Sequence, residues 1–207
     1  MTGRSLRLER VPLADLPDLS QLTDVEALFL TRTPLTDLSP LSGLKQLRVL
    51  GLKLTRVVDL SPLAGLTGLE SLNLSFTPVA DVAPLAGITG LRSLHLTGSL
   101  IADIGPLAAL ARLERLDLGG TLVSDISVVG RMRRLESLQI SGTLVEDLAM
   151  VAGLRDLRVL EAGSTKVTDI SPLLGLPALR FVDLRGTLVP NVPISERWIM
   201  AGTRRRR

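Results

Sequence analysis

Leucine and its aliphatic relatives recur along this 207-residue chain in columns. Leu22, Leu44, Leu66, Ile88, Leu110, Met132, Leu154 and Leu176 stand 22 residues apart at every step, with no insertion or deletion. A fixed period of this length marks a pile of similar coils, because one coil cannot bury its own apolar face and a stack can. Within Leu66–Gly87 (LTGLESLNLSFTPVADVAPLAG) the pattern changes midway. Leu72 and Leu74 alternate with Ser71, Asn73 and Ser75, the period of a short strand. Pro78 then ends the pairing. Val82, Leu85 and Ile88 fall three apart, one face of a tight helical turn, with Pro84 suited to its start and Gly87 to its end. Each coil therefore reads as strand, turn, short helical or 3₁₀ segment, and return. Stacking at about 4.8 Å joins the strands into one parallel sheet over an aliphatic core.

Composition supports that core and narrows the chemistry. Hydrophobic residues make up 45% of the chain and aromatics only 2%, so aliphatic packing carries the fold. The chain has no Cys, hence no disulfide framework and no thiolate metal site. Met1–Arg10 lacks the apolar run of a secretory signal, and no stretch approaches the roughly 18 apolar residues of a membrane span. The net charge of +3 is unevenly placed. Residues 195–207 carry +4 and residues 1–10 carry +2, which leaves −3 on residues 11–194. The scaffold itself is slightly acidic and has no charge signature of nucleic-acid binding.

The pattern LxxLxLxx(T)xxxDxxPLxxL resembles the leucine-rich repeat in its 22-residue form, as found in bacterial internalin-like proteins and in a eukaryotic phosphatase-regulator family. It is carried by LRSLHLTGSLIADIGPLAAL (91–110), LERLDLGGTLVSDI (113–126) and LRVLEAGSTKVTDISPLLGL (157–176), and it extends over residues 5–192. The resemblance implies an α/β-class, right-handed solenoid with strands on the concave face and short helical or 3₁₀ segments on the convex face. About nine coils fill residues 1–194, the first a degenerate, charged edge.

Three polar columns belong to the scaffold. Thr33, Thr55, Thr77, Thr121, Thr143, Thr165 and Thr187, with Ser99 in the same place, are expected to donate to a carbonyl of a neighbouring coil. Asp37, Asp59, Asp81, Asp103, Asp125, Asp147 and Asp169, extended by Asp15 and ended by Asn191, are expected to accept local N–H groups in Asx turns. Stacked carboxylates also raise calcium, but no second acidic column lies beside them to complete its oxygen shell, and no cofactor is expected. Arg4, Glu26, Arg48, Glu70, Arg92 and Glu114 alternate in sign and read as a ladder of ion pairs.

Function is expected where the repeat stops repeating. In this family the concave face is the binding surface. Its outward columns supply the candidate partner-binding residues: Phe29, Asn73, His95, Asp117, Gln139, Glu161 and Asp183 within LxL, Val49, Arg115 and Phe181 before it, and Arg185 after it. Phe76 joins Phe29, Val49 and Leu54 in an apolar patch. Glycines crowd the middle (Gly98, Gly119, Gly120, Gly142, Gly163), for close approach of another chain or for turn geometry. The run Ser127–Arg134 loses the Pro column and gathers Arg131, Arg133 and Arg134, which reads as a slightly longer helical return with a solvated basic face, the alternative being a local anion or partner site. His95 has Asp117 one coil away but no assignable serine, so an enzyme is disfavoured.

At the C-terminus, residues 195–207 read as a lid and a basic tail. Ser195 would cap a short helix ended by Gly202, with Ile194, Trp198 and Ile199 covering the last coil. Arg204–Arg207 would offer a weak electrostatic contact to nucleic acid or membrane. The expectation is a non-catalytic, cytoplasmic or delivered bacterial scaffold that binds a protein or peptide. The alternative is a structural or regulatory section of a larger multidomain protein.

Overall fold

The computed structural model describes residues 4–189 and the backbone of 199–200. Ten strands form a single sheet in sequence order, and every pair is parallel. They are β1 (Arg4–Arg7), β2 (Val25–Phe29), β3 (Val49–Gly51), β4 (Ser71–Asn73), β5 (Ser93–His95), β6 (Arg115–Asp117), β7 (Ser137–Gln139), β8 (Val159–Glu161), β9 (Phe181–Asp183) and β10 (Ile199–Met200). From β2 to β9 the register steps by 22 residues, so Leu28, Leu50, Leu72, Leu94, Leu116, Leu138, Leu160 and Val182 lie side by side. This column is at most 1% exposed.

The returns are 3₁₀ turns, most of three residues and most opening on proline (Ser39–Leu41, Ser61–Leu63, Ala83–Leu85, Ser171–Leu173). Ser127–Arg131 is five residues long, in line with the expected longer return. Loss of proline does not by itself cause the length, because Gly105–Ala109 keeps Pro106 and is as long. Among the described residues no helix is long and apolar enough to cross a membrane.

The threonine column is buried, with Thr33 at 1% and Thr55, Thr77, Thr121 and Thr143 at 3%. Its hydroxyls do not reach a neighbouring coil. Each donates to the carbonyl three residues earlier in its own coil, as Thr55 does to Leu52 and Thr121 to Leu118, at 2.6–2.8 Å. At Thr33, Thr55, Thr121, Thr143 and Thr187 the N–H of the same residue donates to the same carbonyl. That carbonyl ends the strand and bends away from the ladder, so a local donor must satisfy it.

The aspartates cap as expected. Asp37, Asp59, Asp81, Asp103, Asp125, Asp147 and Asp169 each accept the N–H two residues on, at 2.7–2.8 Å. Asp15 does not extend the column. It lies inside an additional 3₁₀ turn, Leu13–Asp15, and Asp18 takes over the cap by accepting Ser20 N–H at 3.0 Å. Asn191 lies outside the described residues.

The charge ladder resolves into separate couples. Arg48 pairs with Glu70 at 2.5 Å, Arg92 with Glu114 at 2.6 Å and Arg158 with Glu136 at 3.9 Å. Arg4 pairs with Asp24, not Glu26. Arg48 and Arg92 each have a glutamate on either side and reach only one of them, and exposed pairs of this kind contribute about 0–1 kcal/mol each.

One column was not anticipated as such. Arg10, Arg32, Leu54, Phe76, Gly98, Gly120, Gly142, Ser164 and Gly186 all have φ between 55° and 72°. Every coil thus turns off its strand through one left-handed residue, whose N–H still donates to the next coil, as Leu54 does to Ser75 and Gly98 to Gly119. Of the crowded glycines, Gly98, Gly120 and Gly142 serve this turn, whereas Gly119 and Gly163 do not.

At the C-terminal edge, Ile199 pairs with Phe181 and Met200 with Val182, a step of 18 residues. A strand pair therefore replaces part of the expected helix over 195–202, because an open sheet edge presents N–H and C=O groups that another strand can satisfy. Ile194, Ser195, Trp198, Gly202 and Arg204–Arg207 lie outside the described residues.

Leu116→Ala, at the centre of the leucine column, is expected to cost about 2–5 kcal/mol in chemical denaturation. The caps also make stability depend on acid. Hydrogen bonds from Ser39 hold the Asp37 carboxyl below its ordinary value of 3.8. The N–H and then the hydroxyl of Ser61 and of Ser171 do the same for Asp59 and Asp169. Carboxyls lowered by folding stabilise it above their unfolded range, and this contribution is lost as pH falls through the folded values. The melting temperature is therefore expected to hold from neutrality down to the ordinary aspartate range and to fall below it.

Candidate functional site

Because side chains alternate along a strand, each strand that buries a leucine turns its neighbours to the open face. The centre strands β4 to β9 there present Asn73, His95, Asp117, Gln139, Glu161 and Asp183 in one register row. Asn73, His95, Asp117, Gln139 and Glu161 are half-buried, Arg115 is exposed and Asp183 is buried.

Part of this row serves the scaffold. Asn73 accepts Ser75 N–H at 2.9 Å, Asp117 accepts Gly119 N–H at 3.1 Å and Asp183 accepts Arg185 N–H at 3.0 Å. A short acceptor at this position satisfies the N–H beyond the strand, a role the Asn/Asp bias of the row could have revealed. Asp183 and Arg185 also satisfy each other at 2.7 Å. The guanidinium holds the Asp183 carboxyl below its ordinary value and is itself raised by it.

His95 has more company than the sequence reading assigned. Ser93 Oγ lies 2.9 Å from His95 Nε2, and His95 Nδ1 lies 3.7 Å from Asp117 Oδ2. Half-burial pushes the Asp117 carboxyl up, but hydrogen bonds from His95, Thr97 and Gly119 outweigh it, and the net shift is downward. The order serine, histidine, aspartate is that of a nucleophile relay. Such a relay also needs a pair of N–H donors aimed at the developing oxyanion. Nearby, Leu96, Gly98 and Ser99 N–H are taken by Asp117, Gly119 and Leu96 carbonyls.

Beyond the trio, Gln139 lies across Gly119, where any Cβ would collide with its amide. Gln139 Oε1 is buried with no hydrogen-bond partner. With Ser141, Gly142, Glu161, Gly163, Ser164, Asp183 and Arg185 it lines an open trough of about 510 Å³, half of whose lining residues are glycine or serine.

The N-terminal part of the face is arranged differently. Val49 and Phe29 stand on adjoining strands. The Phe29 ring covers Gly51 and carries the Arg7 guanidinium 4.1 Å above it. Phe76 and Leu54 are not part of the strand face. They occupy the left-handed position beyond it and are 48% and 38% exposed. Phe181 and Val159 are half-buried on β9 and β8. In the basic break, Arg133 donates to Gly153 O at 2.8 Å and so ties two returns together. Among the described residues no cluster of three His, Cys, Asp or Glu could hold a metal ion.

Solved structures share this fold. An internalin (InlF) from Listeria monocytogenes is 30% identical with a TM-score of 0.78, over 84% of this chain and 58% of that one. Internalin C2 (InlC2) of the same organism is 28% identical with a TM-score of 0.80, over 88% of this chain and 77% of that one. The chain has the leucine-rich-repeat fold. A third such protein, from Leptospira interrogans, is 22% identical with a TM-score of 0.80, over 91% of this chain and 48% of that one. This leucine-rich-repeat chain thus spans little more than half the length of the first internalin it matches. No protein-family model and no curated protein matches it.

Two adjacent glycines separate the duties of the leucine-rich-repeat face. Gly120→Ala places a Cβ with nothing nearer than Gly98 N at 4.0 Å, at φ +64°. Its expected cost of about 1 kcal/mol in chemical denaturation therefore reports the left-handed backbone alone. Gly119→Ala is expected to cost less and to displace the Gln139 amide, seen as a shift of its side-chain NH₂ signals in NMR.

Proposed function

We propose that this protein is a non-catalytic scaffold that binds a protein or peptide on the strand face of its solenoid. One observation carries the reading. The buried columns repeat coil after coil, while the members of the outward row that accept no N–H beyond their strand, His95, Gln139 and Glu161, differ from coil to coil. A scaffold alone has no need of this variation, and repeat solenoids use such extended faces for binding. Support also comes from the glycines and serines beside Gln139, whose small side chains leave room for a partner's backbone. Leu96, Gly98 and Ser99 N–H are engaged, which leaves Thr97 N–H alone between them rather than as one of a pair of donors, and this favours recognition over acyl transfer.

The test uses the full chain as bait, with bound proteins identified by mass spectrometry and remeasured as purified pairs. Changing Arg115→Glu, Gln139→Arg and Glu161→Arg together is expected to weaken a specific partner by about two orders of magnitude, as loss of a central contact cluster does. Arg155→Glu on the returns is expected to leave it bound. A partner indifferent to the face variant and lost with the return variant overturns the reading.

A further inference from the structure

The left-handed position at the end of each strand is filled in two ways. Toward the C-terminus it holds Gly98, Gly120, Gly142, Ser164 and Gly186, and in the four preceding coils it holds Arg10, Arg32, Leu54 and Phe76. Glycine adopts φ near +60° freely, whereas large L side chains are strained there, leucine and phenylalanine more than most. Burial compensates only in part: the Phe76 ring lies against Gly98, but Leu54 and Phe76 remain 38% and 48% exposed. Large apolar residues held in a costly conformation with so much surface left open point to a use.

The charges around them point to its chemistry. A cavity of about 590 Å³ opens between Glu9, Arg10, Thr31, Arg32, Lys53 and Leu54. Three cations line it against the single carboxylate of Glu9, which already lies 3.6 Å from Arg7. Among the described residues no carboxylate pairs with Arg10, Arg32 or Lys53. Lys53 Nζ stands 5.5 Å from the centre of the Phe76 ring, so the cationic and apolar parts of the rim adjoin.

We propose that this rim binds an acidic polypeptide segment followed by bulky apolar side chains. Its carboxylates meet Arg10, Arg32 and Lys53, and its apolar side chains lie on Leu54 and Phe76. Four rim positions one coil apart span about 14 Å, the length of four or five residues of extended chain. The inference rests on the reading of the molecule as a binding scaffold, and it places recognition at the rim beside the strand face.

Fluorescence anisotropy on the full chain tests it with labelled Glu-Asp-Glu-Leu-Phe, its amide form Gln-Asn-Gln-Leu-Phe, its truncated form Glu-Asp-Glu-Ala-Ala, and a labelled oligothymidylate. The first peptide is expected to bind, and the other two peptides to bind about tenfold or more weakly. The doubles Arg10→Ala/Arg32→Ala and Leu54→Gly/Phe76→Gly are expected to weaken the first peptide by a similar factor. The glycine double is expected to melt no lower than the parent chain, since it relieves the left-handed strain. Equal binding of the amide form, or tighter binding of the oligothymidylate, overturns the proposal. A lower melting temperature for the glycine double also overturns it, by showing that Leu54 and Phe76 hold the scaffold. If the strand-face triple variant alone abolishes peptide binding, the rim fails and the face reading stands.

Discussion

A coil that buries its leucines must also bury the backbone that turns it. The column Leu50, Leu72, Leu94, Leu116 is shielded from water, and the carbonyls that end each strand are drawn inward with it. A buried carbonyl without a donor costs about as much as a good hydrogen bond contributes. The threonine column meets this demand locally, with hydroxyl and N–H of one residue on one carbonyl, as at Thr121 and Leu118. The aspartates do the same for the N–H groups that open each 3₁₀ turn. Between these two devices the chain must also change direction, and it does so through one left-handed residue per coil.

These demands account for most side chains and so isolate the rest. Asn73, Asp117 and Asp183 look like surface polar residues in a row, yet each satisfies an N–H beyond its own strand. The outward residues without such a scaffold contact are therefore fewer than the row suggests, and Arg115, Gln139 and Glu161 are among them. The rim gains significance by the same reasoning, because there the scaffold favours glycine and the chain holds Leu54 and Phe76.

Much of the architecture could be read from spacing. A constant 22-residue step between like residues forces in-register stacking, so the strands, their order and the leucine core followed directly. Contacts decided by direction did not. Whether Thr55 donates along its own coil or to the next depends on where the Leu52 carbonyl points, and spacing is silent on that. Arg48 has a glutamate on either side at equal sequence distance and takes Glu70. Asp15 sits in the expected column, but an extra turn moves the cap to Asp18. Ser93 joins His95 because alternate residues of a strand share a face, a relation legible in the sequence.

By itself, then, the sequence determined the period, the buried columns and the class of fold, since each follows from which residues water rejects and how often they recur. Only the tertiary structure decided which polar groups remain open to a partner. That depends on which N–H and C=O groups the stacked turns leave unsatisfied and on the sign of φ at one residue per coil. Neither quantity is periodic in residue type: Gly98 and Phe76 occupy the same place in the fold with nothing in common but their backbone.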